Sequence, residues 1–255
     1  MVESTGDTAV SFRVHKDDLA EAVAWVARSL PAKNTQPVLR AVVITADDNG
    51  LEFAGFDYEV SSRVRIGAEV DQPGRVAVAG KLLADIVSNM PAKPVEVTTD
   101  QSKMKLRGGA ARFELPLMSL DDYPQLPTLP EVTGSILPAA LAGAVTQVAA
   151  AAGRDDTLPM LTGIHMEVHG NQLKLTATDR FRVAVRSLEW KPVSPDVEAK
   201  LLIPAKTLLD TARTLDTHID DPVEIAVGGA GNIGGDGLFG LHSGARETTT
   251  RMLDA

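Results

Sequence analysis

The chain carries five histidines (His15, His165, His169, His218 and His242) and no cysteine, which leaves little material for metal chemistry. His165 and His169 stand four apart, a spacing that serves zinc on a helix face. Their surroundings, GIHMEVH, alternate as a strand does, so both read as solvent-facing strand residues. Without cysteine there are no disulfides, thiolate zinc sites, iron–sulfur clusters or cysteine nucleophiles. Acidic pairs occur at Asp17-Asp18, Asp47-Asp48, Asp121-Asp122, Asp155-Asp156 and Asp220-Asp221. Each adjoins a turn or a helix start, where carboxylates cap backbone amides, and they read as caps rather than a catalytic metal pair. Gly229-Ala230-Gly231-Asn232-Ile233-Gly234 fits GxGxxG, but a dinucleotide loop must open a helix. Strand-like Leu238-Phe239-Gly240-Leu241 follows instead, so a hairpin is expected. GxxxxGK[ST], GxSxG and SxxK are all absent. No catalytic residue, metal or cofactor is expected, and a non-enzymatic role is preferred.

Two non-catalytic signals stand out. Lys33 and Arg154 lie at the ends of the two long helical stretches, and Lys81 and Lys206 open two short ones. Basic residues at matched helix ends would form a ring of positive charge; the alternative is ordinary surface charge, with Asp210 one turn from Lys206 as a local partner. The second signal is Thr178-Asp179-Arg180-Phe181-Arg182-Val183, an aromatic between two arginines at a strand junction. Phe181 is either a half-buried turn residue or part of a groove for a peptide with apolar anchors.

The elements that must position these residues form a repeat. Pro37, Leu39, Leu51 and Asp57 recur as Pro159, Leu161, Leu173 and Asp179, at a constant offset of 122. Arg75–Leu83 resembles Lys200–Leu208 at an offset of 125, and Pro94-Val95-Glu96-Val97 matches Pro222-Val223-Glu224-Ile225 at 128. The rising offset places short insertions in loops. Helical spacing appears at Leu19, Val23, Val26 and Leu30, and again at Leu141, Val145, Val148 and Ala152. Shorter helices are expected over Lys81–Met90 and Ala205–Leu215. Period-two stretches such as Val10/Phe12/Val14 and Ile164/Met166/Val168 read as strands. Each half therefore reads as two helices and about eight short strands, an α+β class. Three prolines in YPQLPTLP (Tyr123–Pro130) mark an extended linker. Domains are expected over 1–125 and 126–255. Met252-Leu253-Asp254 parallels Met118-Ser119-Leu120-Asp121, so a further repeat is expected beyond Ala255.

At 255 residues, 44% hydrophobic and 23% charged, the chain has ordinary globular composition and is long enough to bury a sizeable core. Leu137–Gly153 is free of charge, but its small and polar residues do not make a membrane span. The N-terminus lacks a signal-peptide pattern, so a cytoplasmic location is expected. Thirty-four acidic residues against 25 basic give a net charge of −9, which opposes non-specific nucleic-acid binding through bulk charge. Any contact with DNA must be local or topological.

Leu161-Thr162-Gly163-Ile164 and LKLTATDRFRVAV (Leu173–Val185) resemble the second domain of the bacterial sliding clamps, the beta subunit of DNA polymerase III. Asn34–Leu39, Phe113-Glu114-Leu115-Pro116 and Asp121-Asp122-Tyr123-Pro124 resemble its first domain, and the likeness runs from about Ser11 to Ala255. The resemblance implies tandem β-rich two-helix clamp domains with helices inside and sheets outside. It implies a homodimeric ring of three-domain protomers, joined head to tail, which encircles double-stranded DNA without sequence preference. Such a ring is a non-catalytic processivity factor in DNA replication. Its implied partners are the polymerase III alpha subunit, the clamp loader and other clamp-motif proteins. Lys33, Lys81, Arg154 and Lys206 fall on or beside the family's DNA-facing positions. Leu161, Thr178, Arg180, Phe181, Arg182 and Val183 fall on the second-domain half of its partner-peptide groove, where Phe181 replaces a residue that is often histidine. The alternatives are a two-domain β-rich enzyme and an interaction scaffold unrelated to DNA.

Overall fold

A computed structural model describes residues 9–31, 36–228 and 237–254. Lys33 and the glycine-rich stretch Gly229–Gly234 lie outside the described residues. The chain divides into two compact units, Met1–Leu126 and Pro127–Ala255.

Unit 1 runs β1 (Ser11–Val14), α1 (Lys16–Ser29), β2 (Ala41–Asp47), β3 (Gly50–Phe56), β4 (Val60–Ile66), β5 (Glu69–Gln72), β6 (Gly74–Ala79), α2 (Gly80–Ser88), β7 (Val95–Thr99), β8 (Lys103–Gly108) and β9 (Ala111–Met118). A 3₁₀ turn, Pro37–Arg40, precedes β2. Unit 2 runs β10 (Val132–Ile136), α3 (Pro138–Ala149), β11 (Gly163–His169), β12 (Gln172–Thr178), β13 (Val183–Glu189), β14 (Lys191–Pro192), β15 (Glu198–Pro204), α4 (Ala205–Ala212), β16 (Val223–Gly228), β17 (Leu238–Ser243) and β18 (Arg246–Arg251). Its 3₁₀ turn, Pro159–Leu161, precedes β11.

The order of elements is the same in both units, and so is the pairing. In unit 1, β4-β3-β2-β6 and β5-β1-β7-β8-β9 are antiparallel arrays joined where the end of β9 pairs with β6, Val78 opposite Leu117. In unit 2, β13-β12-β11-β15 and β14-β10-β16-β17-β18 repeat the two arrays. The joint there is narrower: Leu253 N–H, just past β18, donates to Leu202 O on β15 at 2.8 Å. Each unit thus has nine strands among the described residues, one more than the sequence pattern suggests. The short edge strands β5 and β14 carry little periodic signal.

The helices form where the apolar spacing places them. In α1, Leu19, Val23 and Val26 are buried, Asp17 and Asp18 occupy the first turn and Arg28 the last, which suits the helix dipole. Pro138 opens α3, whose Leu141, Val145 and Val148 are buried. The two short helices end earlier than the expected ranges. Asn89 N–H donates to Ile86 O and Met90 N–H to Val87 O, so the last turn of α2 tightens to 3₁₀ geometry. Each helix pair packs on one sheet face: Leu19, Val23, Val26 and Leu83 with Val42, Ile44, Phe53 and Val78 in unit 1, and Leu141, Val145 and Leu208 with Ile164, Met166, Leu175 and Ile203 in unit 2. Among the described residues no helix is long and apolar enough to cross a membrane.

Unit 1 has a second apolar cluster on the opposite sheet face. Ala41, Val43, Phe56 and Ala77 pack with Tyr123, flanked by Leu120 and Leu126. Burial pushes the Tyr123 phenol up to about 12, and its hydroxyl lies near the Phe56 backbone without a well-formed hydrogen bond. Each unit also holds one buried tryptophan, Trp25 and Trp190, which reports on its own core.

Two expected outcomes follow from this packing. Leu141→Ala, measured by Trp190 fluorescence in denaturant with Trp25 replaced by Phe, destabilises unit 2 by about 2–5 kcal/mol. Tyr123→Phe is neutral or stabilising at pH 7, because the orphan hydroxyl is removed. In the unaltered chain the raised phenol is neutral in the folded state. Its contribution is complete below pH 10 and is withdrawn as the unfolded chain ionises, by about 2 kcal/mol on reaching pH 12. Urea titrations at stepped pH show that loss in the parent chain and lack it in Tyr123→Phe.

Candidate functional site

The turn between β12 and β13 is built by one carboxylate. Asp179 Oδ1 accepts hydrogen bonds from Phe181 N–H at 3.1 Å and Arg182 N–H at 3.0 Å, and Asp179 Oδ2 accepts from Arg182 Nε at 2.9 Å. Thr178 Oγ1 donates to Arg182 O at 2.8 Å and accepts from Arg180 N–H at 3.2 Å. Desolvation works to raise the Asp179 carboxyl; the two backbone N–H groups and the Arg182 guanidinium outweigh it, so it titrates below the usual carboxylate range. This net holds Arg180 at φ +78°, a left-handed conformation that costs a side-chain-bearing residue about 1–2 kcal/mol. The consequence is outward display. Phe181 is 91% exposed and Val183 65%, with Val185 beyond them on β13. Phe181 is therefore not the half-buried turn residue that the sequence allowed.

Leu161 reaches the neighbourhood from another direction. It ends the 3₁₀ turn before β11, half-buried, and its carbonyl accepts from Gly153 N–H at 2.7 Å. Thr162 O accepts from Ala205 N–H at 3.0 Å, so the turn is tied to the end of α3 and the start of α4. The Asp155 carboxyl, held below its ordinary value first by the Thr157 hydroxyl and N–H, is also stabilised by the charge of Arg180. Arg154, Leu161 and the 178–183 turn thus belong to one region of unit 2. Sequence reasoning missed Met160, 57% exposed beside Leu161, and the part played by Asp179. The Asp179 signal was present, since an aspartate that accepts from residues two and three ahead is an Asx turn.

The basic residues are placed as follows. Lys81 and Lys206 are exposed in the first turns of α2 and α4, where a cation opposes the helix dipole. Lys206 Nζ lies 3.4 Å from Asp210, whose other oxygen is 3.6 Å from Arg213, so the local partner is real. Arg154 is exposed after α3. Lys81 belongs to unit 1, the other two to unit 2.

Among the described residues no group of three or more His, Asp or Glu side chains is arranged to hold a metal ion. His169 and His242 pair across strands with Glu198 and Glu224, each at 2.9 Å. Asp47 binds Arg65 at 2.7 Å at the β2–β3 hairpin. These acids and histidines serve local structure.

Known proteins place this architecture. Residues 10–127 match the family model for the DNA polymerase III beta subunit, N-terminal domain, and residues 135–255 match that for its central domain. The beta sliding clamp of Streptomyces coelicolor is 48% identical over 96% of this chain and 64% of its own length. That of Micrococcus luteus is 41% identical over 96% of this chain and 77% of its own. The Bacillus subtilis sliding clamp crystal structure superposes with a TM-score of 0.90 at 26% identity, covering 97% of this chain and 66% of that one. A Pseudomonas aeruginosa clamp bound to griselimycin shares the fold at a TM-score of 0.86. The chain spans less than two thirds of the length of the Streptomyces coelicolor relative. With both units matched by the family models, and the same two-helix, nine-strand pairing in each, the chain belongs to the DNA polymerase III beta subunit family, the bacterial sliding clamps.

Proposed function

We propose that the chain supplies the first two domains of a sliding clamp, a non-catalytic ring that encircles duplex DNA in the cytoplasm and tethers the replicative polymerase and other partners. The observation that carries this reading is the same strand order within both arrays of two units, each with its helix pair on one face, in a chain whose relatives are named beta sliding clamps. A repeated unit with a constant helix face suits a closed ring of such units. Ring closure as a homodimer then requires the part of the relatives' length that this chain does not match.

Topology reconciles DNA as a partner with a net charge of −9. A ring needs only enough inward cations to keep the duplex centred. Lys33, Lys81, Arg154 and Lys206 take that role in this proposal. Placing Lys81 and Lys206 against the helix dipole costs a few tenths to about 1 kcal/mol each, which a phosphate facing them would offset. Asp210 sits between Lys206 and Arg213 and damps their attraction for phosphate.

Unit 2 presents Leu161, Thr178, Arg180, Phe181, Arg182 and Val183 as the docking strip for partner peptides. Exposed Phe181 and Val183 offer apolar contact, and Arg180 and Arg182 favour an acidic ligand. Asp179 fixes the backbone under them, so little ordering is required on binding.

Three outcomes are expected. A protein carrying the relatives' full length, once loaded, stays on nicked circular DNA at moderate salt and slides off after linearisation, whereas the 255-residue chain is not retained; gel filtration of the DNA-bound fraction decides it. Salt-resistant retention of the 255-residue chain contradicts the proposal. On a short duplex at low salt, Lys206→Ala lowers the slope of log K against log salt by about 0.9, while Asp210→Asn tightens binding. In calorimetric titration with a polymerase-tail peptide, Phe181→Ala costs about ten- to a hundredfold in affinity, as expected for one buried apolar anchor.

A further inference from the structure

The turn that displays Phe181 has a twin in unit 1. At the repeat offset, Asp179 corresponds to Asp57, Arg180 to Tyr58 and Phe181 to Glu59. Asp57 Oδ1 accepts from Glu59 N–H at 3.0 Å and Val60 N–H at 2.8 Å, and Tyr58 has φ +74°. Tyr58 and Arg180 are the two non-glycine residues with positive φ among the described residues. The scaffold under the docking strip is therefore present twice. Its surroundings differ. Leu39, the counterpart of half-buried Leu161, is 2% exposed, and Phe56, the counterpart of Thr178, is buried.

What buries Phe56 is a segment of the same chain. After β9, residues 119–126 cross the sheet face formed by Ala41, Val43, Phe56 and Ala77, with Tyr123 packed into the cluster and Leu120 and Leu126 against its rim. Tyr123 N–H donates to Leu120 O at 3.0 Å, which fixes the aromatic relative to the first leucine. Asp121, Asp122 and Gln125 point to solvent. The segment is thus an acidic stretch that turns at Asp121-Asp122 and sets apolar anchors at every third position.

We propose that unit 1 carries the same docking surface as unit 2 and that the chain's own segment Leu120–Leu126 fills it, Tyr123 serving as the anchor. Unit 1 is thereby closed to partner peptides. The closure itself stands on unit 1 alone; its consequence for partner choice rests on the docking strip proposed above. The surface covered in unit 1 takes an acidic segment, turned at its two aspartates, with a tyrosine between leucines.

The probe is a labelled peptide of residues 119–127, SLDDYPQLP, titrated into the chain and into a variant combining Leu120→Ser, Tyr123→Ser and Leu126→Ser. Both carry Trp190→Phe, so that Trp25 reports folding of unit 1. The variant is expected to bind the peptide at least about tenfold more tightly than the parent. Adding Phe181→Ala leaves that gain intact, and a peptide with alanine for tyrosine loses it. Equal binding by variant and parent, or a gain abolished by Phe181→Ala, overturns the proposal. A polymerase-tail peptide indifferent to Phe181→Ala instead overturns the unit 2 reading and leaves the closure standing. Should Trp25 show that the variant does not fold, nitration of the unaltered chain decides. Tyr58 is modified and Tyr123 protected if the segment is seated; equal modification of both overturns it.

Discussion

Side-chain alternation along β2 and β11 is the constraint from which the rest follows. Successive residues of a strand face opposite sides, so each of these central strands commits every second position to the helix pair. Val42, Ile44 and Ala46 in unit 1, and Ile164, Met166 and Val168 in unit 2, meet the same demand with the same chemistry. The intervening positions are released from it. In unit 1 they are Ala41 and Val43, covered by Tyr123. In unit 2 they are Gly163, His165 and Glu167, and Glu167 pairs across the strand with Lys174 at 3.0 Å. One face preserves the fold while the other is free to diverge.

Under the proposed clamp role, the same division accounts for DNA as the partner of an acidic protein. Fold stability resides chiefly in buried apolar contact, which does not depend on the sign of the surface charge. In that proposal cations are needed only at the helix starts and helix-end loops, and one of them, Lys206, is shared with Asp210. A grip by topology favours such economy, since strong phosphate contacts would slow movement along the duplex.

Much of this was legible in the sequence because inward positions obey a period. Leu19, Val23, Val26 and Leu141, Val145, Val148 announced the long helices, and the offset of 122 announced the second unit. β5 and β14 were not legible, being short edge strands in which EVDQ and KP offer no alternation. Helix ends were misjudged at Met90 and Leu215, where terminal turns tighten without a change of residue pattern. At the site, residue types were readable but exposure was not. Whether Phe181 turns in or out depends on the left-handed Arg180 and the hydrogen bonds of Asp179, a geometry that no spacing encodes. Tyr123 reads as part of a linker because prolines surround it, and its burial depends on residues far back in the chain, from Ala41 to Ala77.

The central claim is that two copies of one scaffold present one docking surface. Amide chemical-shift mapping tests it directly, with a polymerase-tail peptide titrated into isotopically labelled protein. The account predicts shifts concentrated at Leu161 and Thr178–Val183, with Leu39 and Phe56–Ser61 unmoved. Comparable shifts at both sets, or shifts confined to the unit 1 set, would contradict it.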